Sequence, residues 1–166
     1  MKSTLPRLLV VLAASLALSA CGAGDGTGFA ADFSLTSRDG KTVTLSAQKG
    51  RVVLLNFWAT WCDSCKEELP ALQALKSSRL GERFELLTVN VDDDPPKTVP
   101  AFAATYGLKF PILYVDRKTM DAYAVRMLPT TFLIGPDGSI VRRYVGPLDA
   151  HAVENDILSL LNRRPS

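Results

Sequence analysis

Val52-Val53-Leu54-Leu55-Asn56-Phe57-Trp58 is a near-continuous apolar run of strand length, and Cys62-Asp63-Ser64-Cys65 follows almost at once. A run apolar at nearly every position suits a strand covered on both faces, as in an α/β sheet. From Asp63 the pattern changes. Leu69, Leu72 and Leu75 recur at three-residue spacing, leaving Lys66, Glu67, Gln73 and Lys76 for the wet side of a helix. Cys62 therefore falls where a strand end feeds a helix N-terminus, and the unpaired N–H groups and dipole there stabilise a thiolate. Cys65 lies about one turn inside, near enough to close a small ring with Cys62 and less exposed. One exposed nucleophile beside one sheltered resolving thiol is what a disulfide exchanger needs.

The third cysteine belongs to a different context. Lys2 and Arg7 precede an apolar stretch from Leu8 to Leu18 in which Ser15 is the only polar residue. Spanning a bilayer takes about 20 apolar residues, so this stretch has the length and flanks of a signal-peptide core. It ends Leu18-Ser19-Ala20-Cys21, which resembles a bacterial lipobox. That resemblance implies cleavage before Cys21 and acylation of its thiol, an anchor to a membrane. Gly22, Gly24, Gly26 and Gly28 among small residues then read as a flexible tether. The expected organisation is a leader over 1–20, a tether over 21–30 and one domain over 31–164.

Charge narrows the function classes. The chain carries 19 basic and 17 acidic residues, but Lys2 and Arg7 lie in a leader that contains no acid. Without the leader the two signs balance, and neither a phosphate-binding surface nor a nucleic-acid partner is expected. If Cys21 is acylated, only Cys62, Cys65 and His151 remain as Cys or His ligands, fewer than a four-ligand structural zinc site requires. No metal and no cofactor is expected, and His151 reads as a surface residue.

Elsewhere, Phe33 to Leu45 alternates around Asp39-Gly40 as a hairpin, and Glu85 to Val91 reads as a second core strand. Asp92-Asp93-Asp94-Pro95-Pro96 reads as a solvated strand-end loop closed by prolines. Helices are expected over Thr98–Tyr106 and Thr119–Val125, with a short strand, Pro111–Val115, between them. Leu128–Ile134 and Ser139–Tyr144, joined through Asp137-Gly138, form a second hairpin. A last helix starts near Asp149 as N-cap, buries Val153, Ile157, Leu160 and Leu161, and stops at Pro165.

Phe57-Trp58-Ala59-Thr60-Trp61-Cys62-Asp63-Ser64-Cys65, with Pro70 five residues on, resembles the thioredoxin superfamily. Within it the chain is similar to the membrane-anchored thiol-disulfide oxidoreductases of the ResA, TlpA and CcmG branch. The resemblance implies an α/β thioredoxin fold, a central mixed β-sheet flanked by helices, with an N-terminal β-hairpin and a central insertion between the second strand and the proline loop. It implies that Pro129 is a cis-proline packed against the two cysteines, leaving the Leu128 backbone to pair with an extended substrate. Trp61 would shape the lip of the contact surface. The cytoplasmic pattern has a buried acid six residues before the first cysteine, where this chain has Asn56. By resemblance Glu68 takes over as the acid that tunes the thiols, although the residues alone equally allow a helix-surface glutamate. Asp63 is expected to oppose the Cys62 thiolate by its charge.

The function so implied is reduction of protein disulfides outside the cytoplasm, as in cytochrome c maturation. Apocytochrome c is a candidate substrate, and a membrane-embedded thiol reductase is the implied electron donor. A disulfide-donating oxidant and a copper-binding assembly chaperone stay open on the same fold. A peroxidase would want threonine three residues before its cysteine, and Ala59 stands there.

Overall fold

The apolar run becomes the spine of the molecule. In the computed structural model, which describes residues 28–162 apart from 79 and 81, Val52–Trp58 is a strand whose seven side chains are all buried. In chain order the strands are β1 (Gly28–Phe29), β2 (Ser34–Thr36), β3 (Thr42–Thr44), β4 (Val52–Trp58), β5 (Phe84–Asn90), β6 (Ile112–Tyr114), β7 (Thr130–Ile134) and β8 (Ser139–Val145). The helices are α1 (Asp63–Ser77), α2 (Pro95–Thr105), α3 (Arg117–Tyr123) and α4 (Ala150–Asn162). Six strands form one mixed sheet in the order β1-β8-β7-β4-β5-β6. β4, β5 and β6 run parallel, while β7, β8 and β1 join antiparallel. The β2–β3 hairpin stands apart, held to the β6 edge by a bridge from Ser37 to Leu113.

Both faces of the sheet are covered, which is why β4 reads as continuously apolar. On one face Leu54, Leu86 and Ile112 pack against Leu69 and Leu72 of α1, Val99 of α2 and Ile157 of α4. On the other, Leu55, Phe57, Val89 and Phe132 meet Phe33 and Leu35 of the hairpin and Tyr123 of α3. This is a thioredoxin fold. The block expected as a central insertion supplies α2, β6 and α3. The buried stripe of α4 is Val153, Ile157, Leu160 and Leu161, as the sequence period requires.

Several boundaries differ from the sequence reading. β5 begins at Phe84 and ends at Asn90, one residue earlier than its apolar pattern suggests. α3 begins two residues earlier than expected, at Arg117, because Asp116 caps it by accepting the Thr119 N–H at 2.7 Å. The prolines after Asp94 start α2 at its first two positions instead of closing a loop. Proline lacks the N–H that is unpaired there and already holds a helical φ. Asp92, expected in solvent, is 5% exposed and accepts the Thr60 N–H. Gly28 and Phe29 fall within the expected tether, yet they pair with Ile140 and Ser139 of β8. The leader, Cys21, the rest of the tether up to residue 27, and Pro165 lie outside the described residues. Among the described residues no helix is long and apolar enough to cross a membrane.

Candidate active site

β4 ends at Trp58, whose carbonyl accepts the Val91 N–H at 2.9 Å, and the chain turns tightly before α1. Cys62 is the N-cap of α1: the Cys65 N–H donates to its Sγ at 3.2 Å. The two sulfurs are joined in a disulfide, with Cα atoms 5.2 Å apart. On reduction the same N–H and the helix dipole face the Cys62 sulfur, an arrangement that stabilises its thiolate. Cys65 is 1% exposed and Cys62 7%. Cys62 is the more open of the two, yet it is buried where an exposed nucleophile was expected, and Trp61 beside it is 67% exposed.

Beneath the dithiol lies a buried polar chain. Asn56 Nδ2 donates to Glu68 Oε1 at 2.7 Å and to Thr131 Oγ1 at 2.9 Å. Glu68 Oε2 accepts the Leu148 N–H at 3.3 Å. Glu68 is 1% exposed, so the helix-surface alternative falls. Burial pushes its carboxyl up to about 7, against the opposing pull of the hydrogen bonds from Asn56 and Leu148. Asn56, at the position where the acid was missed, supplies an amide that holds the acid arriving from α1. As the one polar residue inside an apolar run, Asn56 carried a sequence signal for such a role. Leu148, which contributes only backbone, carried none.

Asp63 is not the unopposed charge its position suggests. Its side chain is 91% exposed and pairs with Lys66 Nζ at 2.7 Å, which lowers its carboxyl below the usual range. Solvent and Lys66 together screen it from Cys62.

The other wall comes from the far strand. Thr130 of β7 pairs with Phe57, so Leu128 and Pro129, just outside β7, lie beside the end of β4 where the cysteines begin. The Leu128–Pro129 bond is cis. The Gly146 N–H donates to the Pro129 carbonyl at 2.9 Å, and the backbone of Leu128 has no partner among the described residues. Met127, 64% exposed, adds an apolar contact beside Leu128 that the sequence reading did not single out. Trp61, next to Cys62, and Met127, next to Leu128, thus leave apolar surface exposed at this end of the molecule. His151 is exposed in the first turn of α4, and among the described residues no three His, Cys, Asp or Glu side chains converge as a metal would need. A cavity of about 370 Å³ beside Val53 and Ile134 opens at the opposite end of β4 and takes no part in this site.

Residues 28–143 match the AhpC/TSA family. The thiol-disulfide oxidoreductase ResA of Bacillus subtilis is 38% identical over 133 residues, 80% of this chain and 73% of that protein. Among solved structures, a putative thiol:disulfide interchange protein DsbE from Chlorobium tepidum superposes with a TM-score of 0.74 at 32% identity. That match covers 82% of this chain and 97% of the other. An exposed lipoprotein thioredoxin of Streptococcus pneumoniae gives a TM-score of 0.65 at 31% identity, covering 78% of this chain and all of that one.

Proposed function

Since the chain belongs to the AhpC/TSA family and is a thiol-disulfide oxidoreductase, we propose that it reduces protein disulfides from an exported, lipid-anchored position, with Cys62 as nucleophile and Cys65 as resolving thiol. The observation that carries this reading is the Cys62–Cys65 pair at the N-terminus of α1, with buried Glu68 beneath it.

In the reduced protein the Cys62 thiolate attacks one sulfur of a substrate disulfide, forming a mixed disulfide and releasing the other sulfur as a thiolate. Glu68 accepts the proton of Cys65, and the Cys65 thiolate attacks the Cys62 sulfur. That step expels the second substrate thiolate and closes the Cys62–Cys65 disulfide. Two electrons pass to the substrate, whose thiolates take protons from water. Leu128 offers its free backbone, held in place by the buried Pro129 that follows it, and Trp61 and Met127 offer apolar surface, to an extended substrate segment. Neighbouring Thr60 spends its hydroxyl on Asp92, and Ala59 has none, so the turn lacks the free hydroxyl of a peroxidase.

The leader over 1–20, lipidation at Cys21 and the glycine tether would hold the domain on the extracytoplasmic side of a membrane. The pneumococcal relative, itself described as a lipoprotein, supports that reading. An export compartment is oxidising, so a reductant there needs electrons from across the membrane, and a membrane-embedded thiol reductase is the fitting donor. Apocytochrome c is the substrate we favour. The N-cap geometry favours a second reading, because a stabilised thiolate makes a dithiol a better oxidant.

The midpoint potential of the Cys62–Cys65 couple separates the two. We expect a value near or below roughly −270 mV, that of a reductant. A value near about −120 mV would identify a disulfide donor and end the maturation reading.

A further inference from the structure

We infer that Asp92 is a positioning residue for Cys62: it clamps the turn before the nucleophile and holds beside it a negative charge shielded from solvent. Asp92 follows β5, far from the cysteines in sequence, yet its carboxylate closes on Thr60, two residues before Cys62. Oδ1 accepts the Thr60 N–H at 2.9 Å and Oδ2 the Thr60 hydroxyl at 2.8 Å. The Thr98 hydroxyl of α2 also donates to Oδ2. The Asp92 N–H in turn donates to Asn90 Oδ1 at 3.0 Å.

Three donors and no acceptor face the two oxygens, the pattern that a carboxylate, which only accepts, requires. The turn they hold is short, since the Cys62 N–H already donates to the Ala59 carbonyl at 3.3 Å. Fixing both the backbone and the hydroxyl of Thr60 therefore fixes the direction in which Cys62 enters α1. The same carboxylate is 5% exposed, whereas Asp63 is open to water and neutralised by Lys66. Of the two acids flanking the turn, Asp92 is the one whose field reaches Cys62 with little screening.

The sign follows. A fixed negative charge disfavours the Cys62 thiolate, hence the reduced form, and makes the couple more reducing. It opposes the helix N-terminus, which acts the other way. This rests on the redox reading above and supplies a device by which an N-capped cysteine can remain a reductant.

The test compares Asp92→Asn, which keeps shape and removes charge, with Asp93→Asn, an exposed neighbour. Two quantities are read: the equilibrium constant against a reference dithiol, and the pH profile of Cys62 alkylation. Asp92→Asn should shift the equilibrium about tenfold toward the reduced protein, about 30 mV less reducing, and lower the Cys62 titration. Asp93→Asn should move neither by more than about twofold. An unmoved potential and profile in Asp92→Asn, beside a reversible wild-type couple, overturns the inference alone. A wild-type protein without a reversible couple overturns the redox reading and this inference with it. If Asp92→Asn does not fold, the wild-type Asp92 carboxyl carbon decides by NMR. Movement as Cys62 titrates in the reduced protein, and none in the oxidised protein, upholds the coupling; stillness in both overturns it.

Discussion

Glu68 sits where a charge is hardest to hold, under the dithiol and 1% exposed, with only an amide and one backbone N–H for company. Its carboxyl keeps a proton up to about 7, against an ordinary value of 4.5. Between those values the folded chain binds more protons than the unfolded chain, so stability falls as pH rises. The loss, complete once pH passes about 7, amounts to about 3 kcal/mol. Urea midpoints of the oxidised protein from pH 4 to 8 should show that decline, and Glu68→Gln should flatten it. An identical decline in the variant would mean that another group carries the proton. In the mechanism we propose, the same titration governs chemistry, because only the carboxylate could take the Cys65 proton. Disulfide exchange should quicken as pH rises through about 7 in the wild type, and Glu68→Gln should be slower and lose that rise. Unchanged kinetics across pH 6 to 9 would remove Glu68 from the mechanism.

At the scale of elements, helix starts do much of the positioning. α1 is capped by one of its own redox cysteines, so the cap and the proposed nucleophile are one atom, Cys62 Sγ. α4 is capped by Asp149, whose Oδ1 accepts the His151 and Ala152 N–H groups at 2.9 and 3.1 Å. Asp149→Ala leaves those donors without a side-chain partner and should cost about 1 kcal/mol, read as a lower urea midpoint. Because Leu148, next to the cap, donates to Glu68, the variant should also broaden the pH response of exchange; a normal response would show that the Leu148–Glu68 bond holds without the cap. The start of α2 was misread because Asp-Asp-Asp-Pro-Pro reads locally as a turn. Prolines tolerated at a first helical turn look the same in sequence as prolines that end a loop. Only the burial of Asp92 against Thr60, and Thr98 closing over it, favours the helix.

For the whole molecule, the two faces of the sheet divide the labour. One face, between β4, β5, α1 and α4, carries both the main core and the polar chain from Thr131 through Asn56 to Glu68. Ile157 of α4 is fully buried there, more than two turns beyond Leu148. Ile157→Ala should destabilise the domain by about 2–5 kcal/mol while leaving the midpoint potential of the dithiol unchanged; a shifted potential would show that core and site are not separable. The β-strand run, the helix that follows it, the cysteine spacing and the stripe of α4 were all legible in the sequence. Each depends on residues close together in the chain, and local periodicity records them. What only the tertiary structure decided involves residues distant in the chain: Asn56 holding Glu68, Leu148 bonding it from behind, Gly146 tying down Pro129, and Asp92 clamping Thr60. Backbone donors have no sequence signature, and a lone aspartate in a run of three looks like any solvated loop. The chemistry of the pair Cys62 and Cys65 was written locally, whereas the electrostatic setting that tunes it exists only once the strands pair and bring those groups to one end of the sheet.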